Sequence, residues 1–314
     1  MAAAVALSQR GRGRTAPNPN VGCVIVDRDR VVGRGWTQPG GRPHAEAVAL
    51  AEAGEKSRGA TVFVTLEPCA HVSSRGPACA DALVAAGVAR VVVAVQDPDP
   101  RISGRGLWQL REAGIDVVEG VLADHARRAM AGFLTRQALG RPHVTLKLAT
   151  SLDGCIATAS GESRWITGPQ ARAHAHLERS RHEAILVGRG TYDADVPRLD
   201  VRLPGLEDRT PMRVLLTSRD APDGWIAIAD PQAIADLVGV DHLLVEGGAK
   251  TASAFLRAGL VDRLLLYRAP VVIGGGGAAL GDIGLASLAD AHGRWSRIDS
   301  RELGSDALEV YERS

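Results

Sequence analysis

Lysine is the scarcest cation in this sequence of 314 residues: Lys56, Lys147 and Lys250 stand against 34 arginines. Arginine is the default here, so each lysine is a candidate for a task that suits a compact amine. Cysteine is nearly as rare, with Cys23, Cys69, Cys79 and Cys155. Four scattered cysteines are too few for a disulfide-stapled secreted fold, and a reduced, cytoplasmic protein is expected. Aromatic residues make up 4% of the chain. No apolar run approaches the roughly 20 residues of a membrane span. The apolar start, residues 1–7, is too short for a signal-peptide core, and Arg10, Arg12 and Arg14 follow it instead of preceding it.

An excess of either charge is also missing. With 37 basic and 36 acidic residues the formal net charge is +1, so no whole-molecule field draws the chain onto nucleic acid or an anionic membrane. An anionic ligand must be held locally. The expected partner is a small molecule, with neither nucleic acid nor membrane involved.

What remains is an ordinary globular composition, 45% hydrophobic and 23% charged, in a chain long enough for two cores. The first half alternates short β-branched runs (residues 21–26, 61–66 and 91–95) with amphipathic runs (45–55, 80–86 and 106–113), the pattern of a layered α/β sheet. A helical stretch over 122–139 ends at Gly140 and Pro142 and places a domain boundary near 140. A second series follows, with strands expected at 144–149, 184–187, 213–217, 242–245 and 263–267, a helix at 170–180, and a long loop at 196–211. Lys147 and Glu246 are read as strand-terminal residues, with a helix beginning around Thr251. Gly274 through Gly277 reads as a close backbone approach, a mobile loop or a plain turn.

The chemistry-bearing residues begin with His44-Ala45-Glu46 at a predicted helix start and Pro68-Cys69 after a predicted strand, with Cys79 opening the next helix. One histidine, two cysteines and a spare carboxylate make a tetrahedral zinc site with an open fourth position. The metal would acidify a water, and Glu46 would carry the proton to a substrate nitrogen. This is the His-x-Glu plus Pro-Cys and Cys pattern of zinc-dependent nucleobase deaminases. Nine residues separate the cysteines, so the loop beside the metal is enlarged and could reach a larger substrate than a bare base.

Further segments extend the pattern: Pro17-Asn18-Pro19-Asn20-Val21-Gly22, Thr65-Leu66-Glu67-Pro68-Cys69, Gln96-Asp97-Pro98, Lys147-Leu148-Ala149, Ser151-Leu152-Asp153-Gly154, Gly161-Glu162-Ser163, Trp165-Ile166-Thr167 and Val245-Glu246-Gly247-Gly248. With them the whole chain resembles the bifunctional riboflavin-biosynthesis deaminase–reductase family, RibD. The resemblance implies an α/β chain with an N-terminal cytidine-deaminase-like three-layer domain, residues 1–140, and a C-terminal dihydrofolate-reductase-like domain, 141–314. It implies one Zn²⁺ held by His44, Cys69 and Cys79, with Glu46 catalytic. It further implies hydrolytic deamination of 2,5-diamino-6-ribosylamino-4(3H)-pyrimidinone 5′-phosphate, then NADPH-dependent reduction of the ribosyl chain to ribityl.

By the same resemblance Asn20, His71, Lys147, Ser163, Arg179, Leu199, Arg202 and Glu246 would meet substrate. Ala149, Trp165, Thr191, Asp195, Ser218 and the segment Gly248, Ala249, Lys250, Thr251, Ala252, Ser253 and Ala254 would meet NADPH, and the enzyme would be a homo-oligomer, a dimer or tetramer. Asp153 is read either as turn chemistry or as a ligand contact. The chain departs from the family at Gly35-Trp36-Thr37, where a histidine often follows the aromatic, in the loop 72–78, and at Asp195-Val196-Pro197. An alternative keeps only one activity, with the deaminase acting on another nucleobase-type substrate.

Overall fold

The computed structural model describes residues 1–71, 76–100 and 103–314, in two compact units, Met1–Gly140 and Arg141–Ser314. The first is built from α1 (Ala2–Ser8), β1 (Gly22–Asp27), β2 (Arg30–Trp36), α2 (Ala45–Ala53), β3 (Thr61–Leu66), α3 (Cys79–Ala86), β4 (Arg90–Val95), α4 (Arg105–Glu112), β5 (Asp116–Glu119), α5 (Ala123–Ala129) and α6 (Ala131–Leu139). Its sheet runs β2-β1-β3-β4-β5. The β1–β2 and β1–β3 pairs are antiparallel and the β3–β4 and β4–β5 pairs parallel. Helices cover both faces, with α2, α3 and α4 neighbours on one side and α1 and α5 together on the other.

The strand β2 was invisible in the sequence because Gly33 and Gly35, poor strand formers, interrupt it. Their role is close approach: a Cβ on Gly35 would lie 2.0 Å from the Ala45 carbonyl oxygen, and one on Gly33 2.2 Å from that of Ala49. Helix α2 therefore lies directly on the β2 backbone, and its first residues, which carry the chemistry, are set by that contact. The single helix expected over 122–139 is two helices. Met130 leaves helical geometry at φ −105° and ψ 19° while its side chain is fully buried in the core.

The second unit contains β6 (His143–Thr150), β7 (Cys155–Ala157), α7 (Pro169–Arg179), β8 (Ala184–Gly188), α8 (Arg189–Asp195), β9 (Met212–Leu216), β10 (Trp225–Ile228), β11 (His242–Val245), α9 (Ala249–Arg257), β12 (Arg263–Arg268), β13 (Gly277–Ala278), β14 (Trp295–Leu303) and β15 (Asp306–Arg313). Its sheet runs β10-β9-β8-β11-β6-β12-β15-β14. The pairs from β10 to β12 are parallel, and an antiparallel hairpin, β14–β15, closes the β12 side. The apolar central strands are buried: Val144, Leu146, Ala184, Leu186, Val214, Leu243 and Val245 share one core. Lys147 sits within β6 and not at its end, because pairing with β12 continues to Thr150. Glu246 is the first residue beyond β11, and α9 starts at Ala249, two residues before the expected start.

Candidate functional site

His44 precedes α2 with extended backbone (φ −68°, ψ 160°), Cys69 lies just beyond β3, and Cys79 opens α3. The side-chain donors of these three residues lie within 4.8 Å of one another. His44 Nδ1 is 3.3 Å from Cys79 Sγ and 3.6 Å from Cys69 Sγ. Zinc bonds of about 2.3 Å to sulfur and 2.0–2.1 Å to nitrogen, at tetrahedral angles, separate the two donors by roughly 3.5 Å. The residues present therefore fit one zinc ion, with a fourth position left for water or substrate.

The electrostatics suit a cation. A hydrogen bond from Cys79 pushes the Cys69 thiol down to about 4, against the opposing effect of burial and with help from His44. Cys79 is pushed up because it holds the proton that the two sulfurs share. A cation replaces that proton when both sulfurs become thiolates. Burial pushes Glu46 up to about 7, partly countered by the charge on His44. Glu46 is 4% exposed, sits in the first turn of α2 and is not one of the converging donors.

The Pro17-Asn18-Pro19-Asn20 segment holds a surprise. Asn20 is buried, and its amide nitrogen donates to the carbonyls of Ser8 at 3.2 Å and Ala129 at 2.9 Å. Asn18, not singled out from sequence, is the one beside the site. Its amide nitrogen lies 3.3 Å from His44 Nε2 and donates to Gly41 O, so Asn18 borders the ring on the side away from the sulfurs. The signal was present as a second asparagine two positions earlier. Thr37, where a histidine was expected, is buried and its hydroxyl accepts the Val21 N–H at 2.9 Å. His71 is exposed, and the first part of the altered loop, 72–75, lies outside the described residues.

In the second unit Glu246 gathers several of the predicted residues. Arg179 Nε and Nη2 donate to its two carboxylate oxygens at 2.8 and 2.9 Å, while Nη1 donates to Asp200 O at 3.1 Å. Lys147 Nζ lies 3.9 Å from Glu246 Oε2 and 6.0 Å from the centre of the Tyr267 ring. Arg198 and Arg202 flank Asp200 at 3.0 and 3.5 Å, lining an open concavity of about 500 Å³. Leu199 packs among Ile185, Val187, Leu215 and Leu244, so only its backbone could face a ligand. Ser163 is exposed.

Of the predicted cofactor segment, Ala252 donates its N–H to Gly248 O, and Ser253 Oγ accepts from Gly281 N. The first-turn N–H groups of Ala249, Lys250 and Thr251 are among those that a helix start leaves without an intrahelical acceptor. Gly248 N donates to Thr191 Oγ1 at 3.1 Å, which joins α8 to the start of α9. A Cβ on Gly188 would lie 2.0 Å from Thr251 Oγ1, so the first turn of α9 packs tightly on the end of β8. Asp195 pairs with Arg164 at 2.8 Å, next to Trp165, which is 65% exposed under the Arg172 guanidinium. Ala149 is partly buried and Ser218 exposed. Asp153 acts as a loop staple: its carboxylate accepts from Ile273 N at 3.1 Å and Gly274 N at 2.8 Å.

Comparison with known proteins agrees with this division. Residues 1–95 match the cytidine and deoxycytidylate deaminase zinc-binding region, and residues 142–238 and 232–308 match the RibD C-terminal domain. The chain is 43% identical to the riboflavin biosynthesis protein RibD of Escherichia coli, covering 93% of this chain and 92% of that protein. It is 41% identical to RibD of Mycobacterium tuberculosis, covering 98% and 95%. Among solved structures, RibD of Acinetobacter baumannii superposes with a TM-score of 0.86 at 37% identity, covering 100% of this chain and 97% of that one. A diaminohydroxyphosphoribosylaminopyrimidine deaminase/5-amino-6-(5-phosphoribosylamino)uracil reductase from Thermotoga maritima superposes with 0.88 at 31%, with the same coverage.

A deaminase-type zinc-binding unit followed by a dihydrofolate-reductase-like unit defines a two-domain enzyme, a hydrolase joined to an oxidoreductase. The chain belongs to the RibD family of riboflavin-biosynthesis proteins. No helix among the described residues is long and apolar enough to cross a membrane.

Proposed function

We propose that the chain performs two reactions in turn. Residues 1–140 would deaminate 2,5-diamino-6-ribosylamino-4(3H)-pyrimidinone 5′-phosphate, and residues 141–314 would reduce its ribosyl chain to ribityl with NADPH. The observation that carries the reading is the triangle of His44, Cys69 and Cys79 donors, with Glu46 buried beside it and outside it. Zinc held there supplies Lewis acidity that lowers the pKa of water. Burial raises the Glu46 carboxyl, which favours its taking up a proton beside the donors. Its carboxylate can take one proton from the attacking water and give it to the ring nitrogen. It can then take the second proton from the hydroxyl added to the ring carbon and give it to the leaving amine as the carbonyl forms. His71 contacts the pyrimidine in this reading, and Asn18, which borders His44, takes the substrate contact in place of the buried Asn20.

In the second unit NADPH supplies the hydride. The first turn of α9 holds its diphosphate through Ala249, Lys250 and Thr251, while Ala149, Trp165, Thr191, Asp195 and Ser218 flank its path. Lys147 and Glu246 face the ribosyl chain as a cation and anion pair, and Arg179 fixes the Glu246 carboxylate. Arg202 and Ser163 meet the substrate phosphate, for which a guanidinium fork is suited. The working form is a homo-oligomer in a reducing, cytoplasmic compartment, which keeps Cys69 and Cys79 reduced.

Mass spectrometry of products formed from the diamino substrate tests the reading. Without NADPH the product should have exchanged one amine for a carbonyl oxygen, and with NADPH it should also have gained two hydrogens. Release of ammonia from other nucleobases without turnover of this substrate would overturn it.

A further inference from the structure

We propose that Glu67 is a positioning residue for the metal centre, one that fixes the strand exit carrying Cys69. The inference rests on the reading of His44, Cys69 and Cys79 as metal donors. Glu67 lies two residues before Cys69 and is 5% exposed. Its carboxylate accepts four backbone N–H groups from a separate part of the chain. Oε2 accepts from Asp97 at 3.1 Å and Gly104 at 3.0 Å, and Oε1 from Gly106 at 2.9 Å and Leu107 at 3.4 Å.

Gly104 occupies the N-cap position of α4, which has no side-chain cap of its own. Gly106 and Leu107 belong to its first turn. Glu67 thus supplies the missing cap from β3, satisfying donors that a helix start leaves open and placing negative charge at the positive end of the helix dipole. The contact is reinforced one residue on. A Cβ on Gly106 would lie 2.0 Å from the Pro68 carbonyl oxygen, so α4 rests directly on the Pro68 peptide.

The same turn is also held by α3. The Cys69 carbonyl accepts from Ala80 N at 3.1 Å, and Cys79 N lies 3.4 Å from Cys69 Sγ. Glu67 N is itself bonded to Val95 O at 2.9 Å. The segment from Glu67 to Cys69 is therefore held by the starts of both α3 and α4, and the start of α3 carries the other thiol. A metal centre tolerates donor displacements of only about 0.5 Å. Loss of an outer partner typically costs about 10–100-fold in metal affinity.

The full-length protein loaded with Co²⁺ provides the test, read by chelator competition and by the thiolate-to-cobalt charge-transfer absorption. Glu67→Gln keeps one acceptor oxygen but turns an NH₂ toward backbone N–H groups. It should weaken Co²⁺ binding about 10–100-fold and reduce the charge-transfer band. Gly106→Ala leaves the carboxylate but presses a methyl group on Pro68 O, and should move both readouts the same way. It also carries the test alone if Glu67→Gln does not fold. Leu110→Ala empties a fully buried site on the same helix and should lower the melting temperature with the cobalt spectrum intact.

Wild-type affinity and spectrum in Glu67→Gln and Gly106→Ala would overturn the proposal, as would an equal spectral change in Leu110→Ala. A wild-type chain that binds no Co²⁺ would overturn the metal reading as well, a result distinct from wild-type binding that is insensitive to Glu67.

Discussion

Replacing Arg179 with methionine should destabilise the second unit and reverse the sign of its pH dependence. Burial alone would raise the Glu246 carboxyl, but the Arg179 guanidinium forked on it, with Lys147 beyond, outweighs burial and holds it at about 2 against an ordinary value of 4.5. A depression of that size corresponds to a linkage on the order of 3 kcal/mol. Arg179 and Glu246 are 14% and 7% exposed as side chains, so solvent screening removes little of it. Breaking a buried pair from one side costs about 3–5 kcal/mol. The surviving Lys147, 3.9 Å away, argues for the lower end, which is roughly a hundredfold in the opening equilibrium.

In the wild type the folded carboxyl titrates below its unfolded value. Its contribution is therefore present above about pH 4.5 and lost as the pH falls toward 2. In Arg179→Met burial prevails, the folded value rises above the unfolded one, and the unit should gain stability as the pH falls from 7 toward 5. Urea titration of the full chain, read by amide exchange of peptides covering β6 and β11, measures both effects. Adding Glu246→Gln to Arg179→Met should recover part of the loss, because the unpaired charge is gone. A cost under about 1 kcal/mol, or an unchanged sign of the pH dependence, would refute the reasoning.

Glu46→Gln should lower deamination by about 10²–10⁴-fold while the protein still binds one zinc per chain by elemental analysis; loss of the metal would make Glu46 a donor. Gly35→Val places a side chain where a Cβ already lies 2.0 Å from Ala45 O, so the first unit should lose at least about 1–3 kcal/mol in thermal unfolding. An unshifted melting curve would mean that α2 does not depend on that contact. Asp153→Ala removes the acceptor for Ile273 N and Gly274 N. Amide exchange at Gly274 should rise about fivefold, in line with a lost hydrogen bond of roughly 1 kcal/mol, while exchange at Leu243 stays slow.

What could be read from the sequence depended on residue chemistry more than on hydrophobic pattern. The apolar runs around Val62, Val92, Leu146, Ile185 and Leu243 announced their strands because central parallel strands are buried on both faces. The β14–β15 hairpin escaped notice: β14 is an edge strand that is mostly exposed, with Arg297, Asp299, Arg301 and Glu302 along it. Its turn at Gly304, φ +71°, was the available signal. Strand β2 escaped for the opposite reason, since its glycines serve a helix and not a sheet.

The metal donors were legible because histidine and two cysteines beside predicted strand and helix ends have few other uses. The groups that hold them were not. Glu67 acts through backbone N–H groups of Asp97, Gly104, Gly106 and Leu107, which no side-chain pattern encodes. Arg179 shows the same limit in the second unit. An arginine suits a phosphate, and by residue type alone that was the natural reading. In the structure each of its three nitrogens also donates to Glu246, 67 positions away, or to Asp200 O. The pairing exists because β11 lies between β6 and β8, which brings the exit of β11 beside both Lys147 and the end of α7. Lys147 was singled out for its rarity, its place on a strand and its family segment, and topology then gave it a carboxylate. Such a residue can be named from sequence, but what it acts upon is decided by strand order.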